Sequence, residues 1–130
     1  MDEVDRERYR DDVISLTERL AGADAENAVW GVYAGTEKLI AILKFRLDYE
    51  TPGVFTELPD SSDPAKLLED ARALLSKASK EIARGRLVAS IGTLRKARNS
   101  LRSYLTDQRK KATRREKKAR GAPASKGALL

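Results

Sequence analysis

The chain has 130 residues, 35% of them charged and 5% aromatic, so we expect one domain and no aromatic-lined ligand pocket. It contains no cysteine and no histidine. Disulfides, zinc sites built from Cys or His, and the usual proton carriers of catalysis are thereby excluded. The first residues are charged and no apolar run approaches the length of a membrane span, so we expect a soluble, cytoplasmic protein.

Charge is divided unevenly along the chain. Residues 1–70 carry 8 basic and 17 acidic side chains, a net of −9, residues 71–107 a net of +7, and residues 108–130 a net of +8. Such a division is typical of a chain with an interaction tail, or of one whose halves pair with each other.

Two helices are predicted in the acidic half. Within residues 3–21, Tyr9, Val13, Leu16 and Leu20 recur at helical spacing, and we expect them to face a core. A second helix is predicted from Asp24, a suitable N-cap, to about Glu50. Its main apolar stripe begins at Val29 and ends at Leu47.

The second helix carries a further apolar stripe on another side. This stripe, called the α2 stripe below, is formed by Trp30, Ala34, Ala41 and Phe45. A helix that is apolar on two sides either lies centrally in a bundle or keeps one side for a partner. Both interpretations remain open from the sequence. Gly31 and Gly35 in the same helix indicate close packing against a neighbouring helix.

The basic half predicts two more helices after a loop. Pro52, Gly53 and Pro59 exclude a continuous helix over residues 51–62. Asp63 and Pro64 are the cap and first residue of a third helix, and Gly85 separates it from a fourth. Apolar residues repeat in both, and the short link between them predicts an antiparallel αα-hairpin. The predicted core stripe of the third helix consists of Leu67, Ala71, Leu74, Ala78 and Ile82.

We therefore predict an all-α protein. Its fold class is a four-helix bundle with a C-terminal αα-hairpin, whose last helix extends into a basic tail. Residues 1–107 would form the bundle and residues 108–130 a partly flexible tail. Beyond Leu105 the apolar repeat stops while good helix formers continue to about Arg120, and so short a helix without a core is marginally stable in water.

The sequence argues against an enzyme. No phosphate-binding glycine motif follows a strand, and carboxylates are the only candidate acids or bases. The acidic residues of the first helix match the helix dipole as a solvated face, so we expect no catalytic residue, no metal site, no cofactor and no small-molecule substrate. Glu37 lies between two apolar stripes and is expected to pair with an arginine of the fourth helix.

The tail is the first candidate binding feature. Its basic residues cover almost the full circumference of a helix, unlike those of a helix that lies on a membrane. They suit phosphates, bound without sequence preference and with strong salt dependence. A solvated tail or a contact with an acidic protein are the alternatives. The residues are Arg109, Lys110, Lys111, Arg114, Arg115, Lys117, Lys118 and Arg120.

A second basic feature precedes the tail. Arg95, Arg98, Arg102 and Arg109 lie along one side of the fourth helix. Since residues 1–70 are acidic, the default interpretation is that these arginines form ion pairs within the bundle. If they do not, the row and the tail form one continuous basic ridge, to which Arg95 and Arg102 contribute.

Two functional hypotheses follow. The first is a non-enzymatic helical protein associated with nucleic acid through its basic arm, for example as a subunit of a ribonucleoprotein or chromatin complex. The second is a protein–protein adaptor or structural subunit that binds a partner, or a second copy of itself, through the α2 stripe, with the tail contacting an acidic partner.

Overall fold

The structure is a computed structural model that describes the backbone of residues 1–50 and 63–128 and the side chains of residues 1–50 and 63–117. Within these residues it contains four α-helices and no strand: α1 (Glu3–Arg19), α2 (Ala25–Arg46), α3 (Pro64–Ala83) and α4 (Leu87–Ala128). The all-helical prediction is confirmed for this part of the chain. The loop predicted over residues 51–62 lies outside the described residues.

The helices surround one core. In the described chain α1 packs against α2 and α3, and α4 packs against the same two helices, whereas the backbones of the pairs α1–α4 and α2–α3 do not approach each other closely. These two pairs are therefore the diagonals of the bundle.

Contacts at the helix ends give the direction of each helix. Arg46, at the end of α2, bonds to Asp5 near the start of α1, and Gly85, just after α3, lies against Arg6 of α1. The start of α3 lies near Leu20, at the end of α1. Neighbouring helices are thus antiparallel, and the end of α2 and the start of α3 lie at opposite ends of the bundle.

The core consists of the predicted apolar repeats. Every member of the α1 stripe is buried, as are most of the predicted positions on the other three helices. On α3 the prediction was wrong by one residue, because Leu75 is fully buried while Leu74 is half-buried. On α2 the core also takes Val32 and Leu39, so its buried side is turned further toward α1 than the main stripe predicted.

Close packing of α1 on α2 depends on a glycine. A Cβ atom placed on Gly35 would lie 2.8 Å from Cδ2 of Leu16, closer than carbon atoms approach without displacement. The predicted close packing at this pair of glycines is confirmed at Gly35, since hydrogen in place of a side chain lets Leu16 reach the α2 backbone.

Helices α2 and α3 end in the same way. The amide of Gly85 donates to the carbonyl of Ile82 (3.0 Å) and that of Arg86 to Glu81 (2.8 Å), which is a Schellman motif. Gly85 has φ +77°. In α2 the equivalent position is Asp48, at φ +49°, a conformation that costs free energy for any residue with a Cβ. This turn ends α2 at Arg46, earlier than the expected Glu50.

Candidate functional site

The basic side chains that follow the core are exposed. Core burial on α4 ends at Tyr104, and the six basic residues of the tail with described side chains are solvent-exposed. They are Arg109, Lys110, Lys111, Arg114, Arg115 and Lys117. None of the six forms an ion pair within the described part of the chain. The side chains of Lys118 and Arg120 lie outside the described residues.

Arg98 pairs with Glu37, which confirms the expectation that Glu37 meets an arginine of the fourth helix. The Nε of Arg98 lies 3.1 Å from Oε1 of Glu37, and it donates to Oδ1 of Asn99 (3.3 Å). Burial lowers the pKa of the Arg98 guanidinium, an effect that Glu37 opposes and that Arg102 and Arg95 reinforce. The pair therefore holds one cation of the row in place between α2 and α4.

The other arginines of the row differ from Arg98. Among the described residues, Arg95, Arg102 and Arg109 form no ion pair. The default interpretation of internal pairing is thus confirmed for Arg98, and within residues 1–50 and 63–117 it finds no support for the other three. The physical reason is spacing: Glu37 lies opposite Arg98 and is the carboxylate of α2 that reaches the row.

The α2 stripe lies in solvent. Trp30 is 66% exposed and Phe45 87%, and Ala34 and Ala41 are exposed between them. The interpretation of this stripe as core is wrong, because α1 and α4 cover only the sides of α2 that carry Leu39 and Tyr33. Whether a partner covers the stripe stays a prediction.

The sequence did not assign Tyr33 to the candidate surface. The ring of Tyr33 stacks on Trp30 with centroids 5.7 Å apart and an interplanar angle of 27°. Spacing of i and i+3 on a helix brings two side chains together and could have predicted this pair. Tyr33 is half-buried, so it supports one side of the indole while most of the indole surface remains accessible.

The arginine row and the α2 stripe belong to one face. Tyr33 touches Trp30 and is close enough to Arg98 to influence its protonation, as are Arg95 and Arg102. These residues therefore follow one another from α2 to α4 across the groove between the two helices. An exposed indole thus shares this surface with guanidinium groups that, Arg98 apart, have no ion pair in the described residues.

The acidic start of α1 has a structural role. Arg46 donates to Asp5 Oδ2 (2.9 Å) and to the hydroxyl of Tyr9 (3.0 Å). These hydrogen bonds, first that to Tyr9 and then that to Asp5, raise the pKa of the Arg46 guanidinium. No cluster of carboxylates within the described residues is arranged to hold a metal ion.

One groove lies away from this face. It has a volume of about 370 Å³ between α1 and α2, and Arg8, Asp12 and Lys38 line it with apolar residues. It is open to solvent, and its charges come from flexible surface side chains. Nothing in it resembles the convergent polar groups of a small-molecule site.

Comparison of the chain with protein-family models, with curated proteins and with solved structures gave no match. In the described part of the chain, no helix combines the length and apolar character needed to cross a bilayer.

Proposed function

We propose that this protein is a non-enzymatic helical protein that binds the phosphate backbone of nucleic acid through its basic C-terminal arm. The observation that supports the proposal is the run of exposed basic side chains from Arg109 to Lys117, which has no acidic partner within the described residues. In the proposal α4 continues past the core as a helix and presents these charges on all sides.

The physical basis is counterion release. A cationic helix that neutralises several phosphates displaces condensed counterions, and its affinity then falls linearly on a log–log scale with salt. Because the contacts are to phosphates, neither sequence preference nor a defined register is expected. A subunit of a ribonucleoprotein or chromatin complex would use such an arm.

Fluorescence anisotropy with a labelled nucleic acid, titrated at two salt concentrations, tests the proposal. The test variant replaces four basic residues of the tail with glutamine: Lys110, Lys111, Arg114 and Arg115. The control variant removes the same charge from the exposed side of α3: Arg72, Lys77, Lys80 and Arg84.

We expect the tail variant to lose binding and its salt slope to fall by about three to four, since each duplex phosphate contact contributes about 0.9 to the slope. The control variant should bind nearly as the parent does. Equal loss in both variants would mean that net charge alone drives binding, and no binding at low salt would end the proposal.

The exposed α2 stripe favours a second candidate, a protein–protein adaptor. Trp30 and Phe45 offer apolar surface at both ends of the stripe, and the alanines between them would let another helix approach closely. Sedimentation velocity at several concentrations tests self-association. Assembly that is lost in a Trp30→Ala variant with unchanged stability would support this candidate over the first.

A further inference from the structure

The face shared by α2 and α4 combines an aromatic platform with unpaired cations. Trp30 is 66% exposed and Tyr33 stacks against it. Arg98 lies near Tyr33, and on either side of Arg98 along α4 Arg95 and Arg102 carry charges without an ion-pair partner among the described residues. A stacking ring next to guanidinium groups is the arrangement by which proteins bind unpaired nucleotides.

The arginines of this face lead directly to the tail. Arg95, Arg102 and Arg109 follow one another at intervals of seven residues on α4, and this interval keeps them near one line of the helix, about 10 Å apart. The tail begins at Arg109. A polyanion that contacts the tail can therefore continue along α4 until it reaches the level of Trp30.

From this arrangement we propose that the protein binds single-stranded nucleic acid, with a base stacked on Trp30 and the adjoining phosphates on Arg95 and Arg102. The inference rests on the proposed function and adds the class of strand to it. It also gives the α2 stripe and the arginine row a common ligand.

The geometry selects a single strand over a duplex. In a duplex the faces of the bases are covered by neighbouring base pairs, so an aromatic side chain on a helix surface cannot stack on them. In a single strand every base offers such a face, and stacking tolerates any sequence. Tyr33 holds the indole in place, so less side-chain freedom is lost when a base binds.

Phe45 extends the same track. It is 87% exposed and lies 15 residues after Trp30 on α2, which corresponds to about 22 Å along the helix. A strand of several nucleotides could stack on both rings. A Phe45→Ala variant should therefore weaken binding of longer oligonucleotides only.

Trp30 is the only tryptophan of the chain, and its fluorescence therefore reports this face directly. The probe is an oligothymidylate of about 16 nucleotides, the upper end of the length that one small domain covers. A duplex of equal length and polyglutamate serve as comparisons. Each is added to the full-length protein at low salt while Trp30 emission is recorded, and binding is measured in parallel by anisotropy.

We expect oligothymidylate to quench Trp30, whereas the duplex binds without quenching. Trp30→Ala should weaken single-strand binding roughly 5- to 100-fold, in line with the loss of one stacked base, and leave duplex binding unchanged. Arg102→Gln should lower the single-strand salt slope by about 0.7, whereas Arg72→Gln on α3 should not. Circular dichroism checks that each variant is folded.

Three results would overturn the inference. If oligothymidylate binds without affecting Trp30, and Trp30→Ala binds as tightly as the parent, the tail alone is the site and the proposed function stands. If polyglutamate quenches Trp30 as strongly as oligothymidylate, the face accepts any polyanion and is not a site for nucleic acid bases. If no nucleic acid binds at all, the proposed function is wrong as well.

Discussion

Exposure of the α2 stripe can be tested with two neighbouring residues of α2. Leu43 and Phe45 are both large and apolar, but Leu43 is fully buried and Phe45 is 87% exposed. We expect Leu43→Ala to destabilise the protein by about 2–5 kcal/mol, the usual cost of a core leucine, and Phe45→Ala to have almost no effect.

The small effect at Phe45 follows from its area. If a phenylalanine side chain has about 200 Å² of surface, roughly an eighth of it, about 25 Å², is in contact with the protein. At about 25 cal/mol per Å² this contact contributes about 0.6 kcal/mol. Alanine is the better helix former by about half a kcal/mol, which offsets most of the loss.

Urea unfolding followed by circular dichroism at 222 nm measures both variants, at two protein concentrations tenfold apart. A cost above about 2 kcal/mol for Phe45→Ala would refute the reasoning, because the ring must then be covered in solution. If the urea midpoint of the parent rises with protein concentration and that of Phe45→Ala does not, the Phe45 ring is covered by a second copy of the chain.

Further predictions concern helix ends, a buried hydroxyl and high pH. Gly85→Ala should cost about 1–3 kcal/mol in urea unfolding because φ is +77° there, whereas Gly92→Ala should gain about 1 kcal/mol, since a Cβ on Gly92 meets nothing within 4 Å. Asp48→Gly should stabilise by a similar amount, because glycine adopts φ +49° without a steric penalty. Thr93→Val should cost about 1–3 kcal/mol and Thr93→Ser much less, because the Thr93 hydroxyl donates to a Glu81 carboxylate oxygen (2.5 Å). Burial raises the pKa of Tyr104 above its usual value near 10. The contribution of this residue to stability is therefore complete below pH 10 and is lost as pH rises through the folded-state pKa. Above pH 10 the urea midpoint should fall less steeply with pH in Tyr104→Phe than in the parent.

Helix positions and most of the core could be predicted from the sequence, because both depend on local signals. The repeat of Val13 and Leu16, and the cap at Asp63, act within a few residues of chain. The end of α2 could not be predicted. A helix-ending turn with positive φ is expected at a glycine such as Gly85, whereas nothing in the sequence marks Asp48 as adopting the same conformation.

The exposure of the α2 stripe could not be predicted from the apolar repeat. A repeat shows which residues share one side of a helix, but it does not show which neighbouring helix covers that side. Two antiparallel neighbours, α1 and α4, pack on α2, and α3 lies diagonally opposite, its backbone further away. Trp30 and Phe45 therefore point away from the core. Only the arrangement of all four helices reveals this.

The pairing of charges also depends on how the helices are arranged. An acidic first half and a basic second half suggest mutual neutralisation, yet ion pairs form only where spacing and helix direction bring opposite charges together. Arg98 meets Glu37 at 3.1 Å and Arg46 meets Asp5 at 2.9 Å, while Arg102 is exposed and Arg95 half-buried, neither with an ion pair in the described part of the chain. An arginine without an ion pair among the described residues contributes little to folding, which is why we propose, rather than a structural role, a ligand for the α2–α4 face.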